Sequence, residues 1–176
     1  LPYKENFPLN GTHPYDVSKS SSDKIVQTYG IHYKMNVSIT RCVNIYGPGD
    51  MNLKRIVPET IISIIKNKKP HLRSNGKFLR DYIYVDDAVN GYFNILKYMN
   101  KKKNIKYNIF NFGTNKPISV INLVKKILDL CNIDNKNFII INNSINEIKN
   151  QYSDSKLSKK ILKWQPKNNL NRGLKK

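Results

Sequence analysis

Apolar residues along this chain recur at two alternating periods, and the switches between them divide it into elements. Val17, Ile25, Tyr29 and Tyr33 fall at helical offsets behind His13-Pro14, which predicts a helix through Tyr33. Val37 to Cys42 alternates Val37, Ile39 and Arg41 against Ser38, Thr40 and Cys42, the period of a short strand. Gly47-Pro48-Gly49-Asp50 is a turn cluster, because proline fixes one dihedral and glycines allow positive ones, so Asn44 to Asn52 reads as an ordered loop. Ile61, Ile62, Ile64 and Ile65 after Pro58 predict a helix over Val57 to Ile65, closed by Asn67 to Pro70. Asp81 to Val85 alternates as a strand does. Asp86-Asp87 then reads as the cap of a helix running to about Met99. Tyr107 to Phe112 is a strand ended by Gly113, and Ser119 caps an amphipathic helix carrying Val120, Leu123, Val124, Ile127 and Leu128. Phe138 to Ile141 is a fully apolar strand, and Leu157 to Leu162 a last short helix before Pro166. Residues 1–12 carry Pro2, Pro8 and Gly11 without periodicity and read as loop.

Strands alternating with helices predict an α/β layered fold. Open α/β enzymes usually carry a glycine-rich phosphate turn after the first strand, yet no Gly-x-Gly-x-x-Gly occurs among the 176 residues. A Walker loop, a His-Glu-x-x-His and a Gly-x-Ser-x-Gly are missing too.

Charge changes this picture less than its size suggests. The 31 basic and 12 acidic residues leave a formal net charge of +19. Of the basic residues 26 are Lys and 5 are Arg, in a chain also rich in Asn and Ile, the pattern of an A- and T-biased coding sequence. The lysines are scattered apart from Lys101 to Lys103 and Lys175-Lys176, which read as a solvated loop and a frayed end. A nucleic-acid surface would cluster its charge among aromatics, so no nucleic-acid partner is expected. Cys42 and Cys131 have no partner at metal-ligand spacing, and the three histidines are isolated, so no metal site is expected and a reducing, cytoplasmic compartment is. No stretch reads as a membrane span or signal peptide.

The candidate chemistry begins with Tyr15 and Lys19, one helical turn apart and therefore on one face. A phenol is a poor base at neutral pH, and an ammonium a few ångströms away stabilises its phenolate. Spacing alone is weak: 11 tyrosines among 26 lysines give between one and two matches by chance, and Tyr98 with Lys102 and Tyr152 with Lys156 also occur. Context separates Tyr15. Pro14-Tyr15-Asp16-Val17-Ser18-Lys19 is followed by a strand and then by Arg41-Cys42-Val43-Asn44-Ile45-Tyr46-Gly47-Pro48.

Together these blocks resemble the extended short-chain dehydrogenases that act on nucleotide sugars, the NAD-dependent epimerases and dehydratases. There, Pro-Tyr-x-x-Ser-Lys precedes Arg-x-x-Asn-x-Tyr-Gly-Pro. Arg80-Asp81-Tyr82-Ile83-Tyr84-Val85-Asp86-Asp87 resembles the family's Arg-Asp-Tyr-x-x-Val-x-Asp, and Tyr107 to Gly113 fits a fourth block more loosely. Leu162-Lys163-Trp164-Gln165-Pro166 resembles a closing Leu-Gly-Trp-x-Pro, with Lys163 in place of glycine. Within the family, Leu9 to Tyr15 and Thr40 to Gly47 look most like sugar-nucleotide 4,6-dehydratases, particularly those acting on CDP-glucose.

The resemblance implies a doubly wound, Rossmann-like parallel sheet with a small α/β substrate-binding domain. Residues 1–52 would be the distal part of the Rossmann-like domain. Residues 53–176 would form mainly the substrate-binding domain, with some segments returning to the first. It also implies hydride transfer from sugar C4 to NAD, loss of water across C5 and C6, and return of the hydride to C6. Tyr15 would take the C4 hydroxyl proton, while Lys19 would favour its phenolate and hold the nicotinamide ribose. Cys42 would lie near the nicotinamide, where small-residue packing is the simpler reading than nucleophilic chemistry. Asn44 and Arg80 would hold the substrate diphosphate, with Arg55 nearby. Three of the five arginines, Arg41, Arg55 and Arg80, fall in or beside these segments, which suggests that a planar guanidinium fork is required there; a surface ion pair is the alternative for each.

The family's glycine-rich cofactor turn and its upstream acid and base would all precede Leu1. The sequence is therefore expected to represent the C-terminal portion of such an enzyme, inactive and weak in NAD binding by itself. Its partner would be a nucleotide sugar, together with a second copy or a separately encoded N-terminal half. An epimerase, or a non-catalytic sugar-nucleotide-binding remnant, fits the same blocks.

Overall fold

The structure is a computed structural model that describes residues 1–101, 107–144 and 147–176. Lys102, and with it the Tyr98–Lys102 pair, lies outside the described residues, as does Lys103. In chain order the elements are α1 (Pro14–His32), β1 (Val37–Cys42), β2 (Asn44–Tyr46), α2 (Ile56–Ile65), β3 (His71–Leu72), β4 (Leu79–Arg80), β5 (Tyr82–Tyr84), α3 (Val85–Lys101), β6 (Tyr107–Phe112), β7 (Ile118–Ser119), α4 (Val120–Leu130), β8 (Ile139–Ile140), β9 (Asn150–Gln151), α5 (Lys156–Leu162) and α6 (Leu170–Leu174). Helices and strands alternate, and most strand pairs are parallel although their members lie far apart in sequence. β1 runs beside β6 in register Val37↔Tyr107 to Cys42↔Phe112, β2 beside β5, and β3 beside β8. β4 pairs antiparallel with β7 and parallel with β9.

The expected α/β class is what the chain adopts, with differences in several elements. Asn44 to Tyr46 is not loop but strand, because its backbone finds a parallel partner in Tyr82 to Tyr84, which local sequence cannot announce. The strand expected over Asp81 to Val85 is split off from β4 by Asp81, and Val85 already belongs to α3. Phe138 to Ile141 shrinks to the two residues of β8, with Ile139, Ile140 and Ile141 all exposed. The two-residue strands β3, β7 and β9 and the short α6 are too brief to leave a period in the sequence.

Asp81 is fully buried, and its carboxylate accepts hydrogen bonds from the backbone N–H groups of Tyr82, Thr114 and Asn115 and from the Thr114 hydroxyl. Burial pushes its pKa upward, and these hydrogen bonds offset only part of that rise. A Cβ on Gly113 would stand 2.8 Å from Asp81 Oδ2, so the turn after β6 needs glycine to come this close.

Asp86 and Asp87 do not cap α3 as expected; both lie inside its first turn. Asp87 is buried and receives the backbone N–H groups of Lys167 and Asn168, each at 2.9 Å, while its own carbonyl accepts from Trp164 Nε1. Lys176 is docked rather than frayed, with Nζ 3.2 Å from Asp86 Oδ2 and 4.6 Å from the centre of the Tyr84 ring. The C-terminal segment is thus clasped to the start of α3. Trp164 fills the space between, in a cluster with Ile83, Ala88, Ile95, Phe110, Phe112 and Leu162. A second cluster joins Tyr46, Val57, Tyr82, Tyr84, Leu123 and Ile127 around α2 and α4.

Lys163 ends α5 with φ at +54°, a left-handed conformation that costs an L side chain about 1 kcal/mol and glycine almost nothing. It is the position where the resemblance calls for glycine. Lys163→Gly is expected to raise unfolding stability by about 0.5–1 kcal/mol, after allowing for the entropy glycine adds to the unfolded chain. Denaturant titration measures it, and a destabilised variant would show that the Lys163 side chain contributes more than its backbone strain costs.

Candidate functional site

Pro14 occupies the first position of α1, where its missing N–H is no loss, and His13 Nδ1 accepts from Tyr15 N at 3.3 Å as the cap. This start fixes Tyr15 in the first turn and Lys19 one turn later. The Lys19 ammonium stands 5.6 Å from the centre of the Tyr15 ring, and Tyr15 is 63% exposed. Phenol and ammonium are therefore paired and open to a ligand. The third match to the spacing is different: Lys156 Nζ stands 3.7 Å from Asp154. Gly30 is the only buried residue of α1; Tyr15, Val17, Ile25, Tyr29 and Ile31 are all exposed.

Cys42 ends β1 and packs against the Trp164 cluster. Burial pushes its thiol up to about 11, so at neutral pH it is a protonated packing group rather than a nucleophile. Asn44, exposed at the start of β2, donates both its backbone N–H and Nδ2 to the Asp81 carbonyl at 3.2 Å. Asn44 is thereby tied to the residue that follows Arg80. Tyr46 and Tyr82, on the paired strands beside Asn44, are buried. Burial first of all pushes both phenols up to about 12, which leaves them protonated.

The three arginines have separate fates. Arg41 makes a two-point contact with Asp23 of α1, at 2.8 and 3.1 Å, and donates to the Glu5 carbonyl, so it locks helix, strand and N-terminal segment together. Burial pushes Asp23 upward, but the hydrogen bonds and charge of Arg41, with Gln27 and Lys24, bring it net below the usual carboxylate value. Arg55 pairs with Asp50 in its own loop at 3.2 Å and keeps 59% of its side chain exposed. Arg80 is buried, and its terminal nitrogens donate to the carbonyls of Leu79, Ile148 and Lys149 and to Glu147 Oε1. Among the described residues no hydrogen bond joins Tyr15 or Lys19 to Asn44, Arg55 or Arg80. Tyr15 is paired with Lys19, whereas Asn44 is linked to the Arg80 segment only through the Asp81 carbonyl.

Sequence reasoning missed Glu147. Its segment has no hydrophobic period, and the one available signal was a lone acid in a strongly basic chain. Among the described residues no helix is long and apolar enough to cross a membrane.

A family model described as GDP-mannose 4,6 dehydratase matches residues 1–176. The chain belongs to the GDP-mannose 4,6-dehydratase family. Its relatives within and around that family carry several nucleotides in their names. The dTDP-D-glucose 4,6-dehydratase of Dictyostelium discoideum is 38% identical over 122 residues, covering 69% of this chain and 27% of that protein. The dTDP-D-glucose 4,6-dehydratase of Bos taurus is 32% identical over 187 residues, covering 99% of this chain and 49% of that one. The chain thus spans half or less of the length of these relatives. Among solved structures, the dTDP-glucose 4,6-dehydratase of Bacillus anthracis in complex with NAD superposes with a TM-score of 0.89 at 25% identity, over 99% of this chain and 54% of that one. The UDP-glucose 4-epimerase of Thermotoga maritima with UDP-glucose superposes with the same TM-score at 24% identity, over 99% and 55%. The fold of this GDP-mannose 4,6-dehydratase family member is therefore Rossmann-like, and dehydratases and epimerases share it. The likeness to CDP-glucose enzymes narrows to membership of this wider family.

Proposed function

We propose that these 176 residues supply the tyrosine-lysine pair and the substrate side of a nucleotide-sugar 4,6-dehydratase. The observation that carries this reading is the open Tyr15–Lys19 pair at the start of α1, in a chain whose relatives bear the name 4,6-dehydratase. Tyr15 takes the proton of the sugar C4 hydroxyl, and Lys19 supplies the positive charge beside the resulting phenolate. Asn44 and Arg80 hold the diphosphate, with Arg55 at its margin, because a guanidinium fork matches paired phosphate oxygens. Residues 1–52 belong to the cofactor side and residues 53–176 mainly to the substrate side, with β6 returning to pair with β1.

The residues present fit one end of NAD. An exposed phenol beside an ammonium suits the nicotinamide ribose, with Cys42 as packing at the end of β1, whereas no glycine-rich turn for the diphosphate occurs in the sequence. When bound, NAD supplies the hydride acceptor. A polypeptide of these residues is accordingly expected to bind NAD weakly or not at all and to be inactive unless a second copy or a separate cofactor-binding half completes the site. Two free cysteines favour the cytoplasm.

Isothermal titration with NAD tests the first point, and micromolar affinity would overturn it. The reaction is tested in a chimera in which this chain replaces the matching segment of the Bos taurus enzyme. With CDP-glucose, dTDP-glucose and UDP-glucose offered in turn, a 4-keto-6-deoxy sugar is the expected product from at least one. Binding without turnover would make this chain a sugar-nucleotide-binding protein.

A further inference from the structure

Four acceptors hold the Arg80 guanidinium. Nη1 donates to the carbonyls of Leu79 at 2.9 Å and Lys149 at 3.1 Å; Nη2 donates to the carbonyl of Ile148 and to Glu147 Oε1 at 2.8 Å. These contacts take up the four terminal N–H positions of the group. Three of the acceptors are backbone carbonyls. Those of Leu79 and Lys149 are fixed by the pairing of β4 with β9 and by the Leu79 N–H to Lys149 carbonyl bond at 3.1 Å. The fourth is the only anion of the set and the only one on a side chain. Its two partners differ in exposure: the Arg80 side chain is 10% exposed and that of Glu147 37%.

We propose that Glu147 is an affinity-setting residue that competes with the substrate's phosphate oxygens for Nη2 of Arg80. The proposal rests on the reading that Arg80 meets the diphosphate. Carboxylate and phosphate oxygens accept charge-assisted N–H bonds of the same kind and length, so either satisfies the guanidinium equally well. A phosphate can gain an Nη contact only where an existing acceptor yields. The carbonyls of Leu79 and Lys149 would have to break strand pairing to do so, and that of Ile148 could leave only with a shift of its backbone, whereas Glu147 needs only to turn its half-open side chain toward water. Until it turns, its charge repels an incoming diphosphate, and bound ligand therefore carries the cost of displacing it.

Glu147→Gln removes the charge and keeps both the shape and an acceptor for Nη2. Isothermal titration of the whole chain with UDP, and with uridine as the phosphate-free control, is the test. Glu147→Gln is expected to tighten UDP binding about three- to tenfold and leave uridine unchanged, the size of one charge-assisted contact partly open to solvent. Asp129→Asn, which removes an exposed charge on α4 that takes no part in this cluster, is expected to change UDP affinity less than about twofold. In an Arg80→Lys background the gain from Glu147→Gln is expected to vanish, since the two residues act as one unit. Unchanged or weaker UDP binding by Glu147→Gln overturns the proposal, as does an equal gain in Asp129→Asn, persistence of the gain in Arg80→Lys, or no UDP binding by either form. If Glu147→Gln is silent but Arg80→Lys still weakens UDP, only the competition fails. If Arg80→Lys binds UDP as the unaltered chain does, the placement of the diphosphate on Arg80 fails.

Discussion

Trp164→Ala is expected to destabilise this protein by about 3–5 kcal/mol, the usual cost of truncating a fully buried large aromatic. Trp164 is 2% exposed, and its ring meets Phe112 edge to face at 4.7 Å between centres. Phe112 in turn presses on α3, where a Cβ on Gly91 would stand 2.7 Å from the Phe112 ring, so helix and strand are too close to collapse further into the space left behind. The cavity would therefore persist, which puts the cost toward the upper part of that range. The indole N–H also donates to the Asp87 carbonyl at 2.9 Å. Asp87 is the residue whose carboxylate receives Lys167 and Asn168, so loosening Trp164 loosens the clasp on the C-terminal segment as well. Trp164→Phe keeps most of the ring and loses the donor, and is expected to cost about 1–2 kcal/mol. Denaturant unfolding followed by far-ultraviolet circular dichroism measures both, because Trp164 is the chain's single tryptophan and fluorescence would vanish with it. A loss below about 1.5 kcal/mol for Trp164→Ala would mean that the cluster repacks, against the geometry at Gly91.

What the sequence made legible follows from where each signal resides. α1, β1, β6 and α4 each leave a local signal, and His13-Pro14 and Ser119 mark helix starts that the structure reproduces. β2 and β5 are only three residues long and exist because they find each other across 38 positions, a pairing that no window of sequence contains. The same holds for charge. Asp87 looked like a cap because acids at helix starts usually are, yet its partners are two backbone N–H groups 80 and 81 residues downstream. Arg80 and Arg55 were singled out together by chemistry, and tertiary placement separates them. One is enclosed by β9 and the residues before it, and the other stands in solvent on a loop. The Tyr15–Lys19 pair was fully legible, since a helix guarantees that residues four apart share a face.

That pair carries the largest functional effect expected. In the chimera with the Bos taurus enzyme, Tyr15→Phe is expected to lower turnover by about 10²–10⁴-fold, the range over which a positioned acid-base group contributes. KM for the sugar nucleotide is expected to move far less, because proton abstraction is made in the transition state and the proposed diphosphate contacts, Asn44 and Arg80, are left unaltered. Stability separates this role from a structural one. Tyr15 is 63% exposed, and its backbone N–H, not its ring, makes the cap to His13, so the phenylalanine variant is expected to unfold within about 0.5 kcal/mol of the unaltered chain. Lys19→Met should reach a similar loss of turnover, and the double variant little more than either alone, because a base and the charge that steadies its phenolate act as a unit. Turnover of Tyr15→Phe within about tenfold of the parent would reject Tyr15 as the base, and Tyr46 and Tyr82 could not replace it. Both are buried, with phenols pushed up to about 12, and would hold their protons at the pH where the reaction runs.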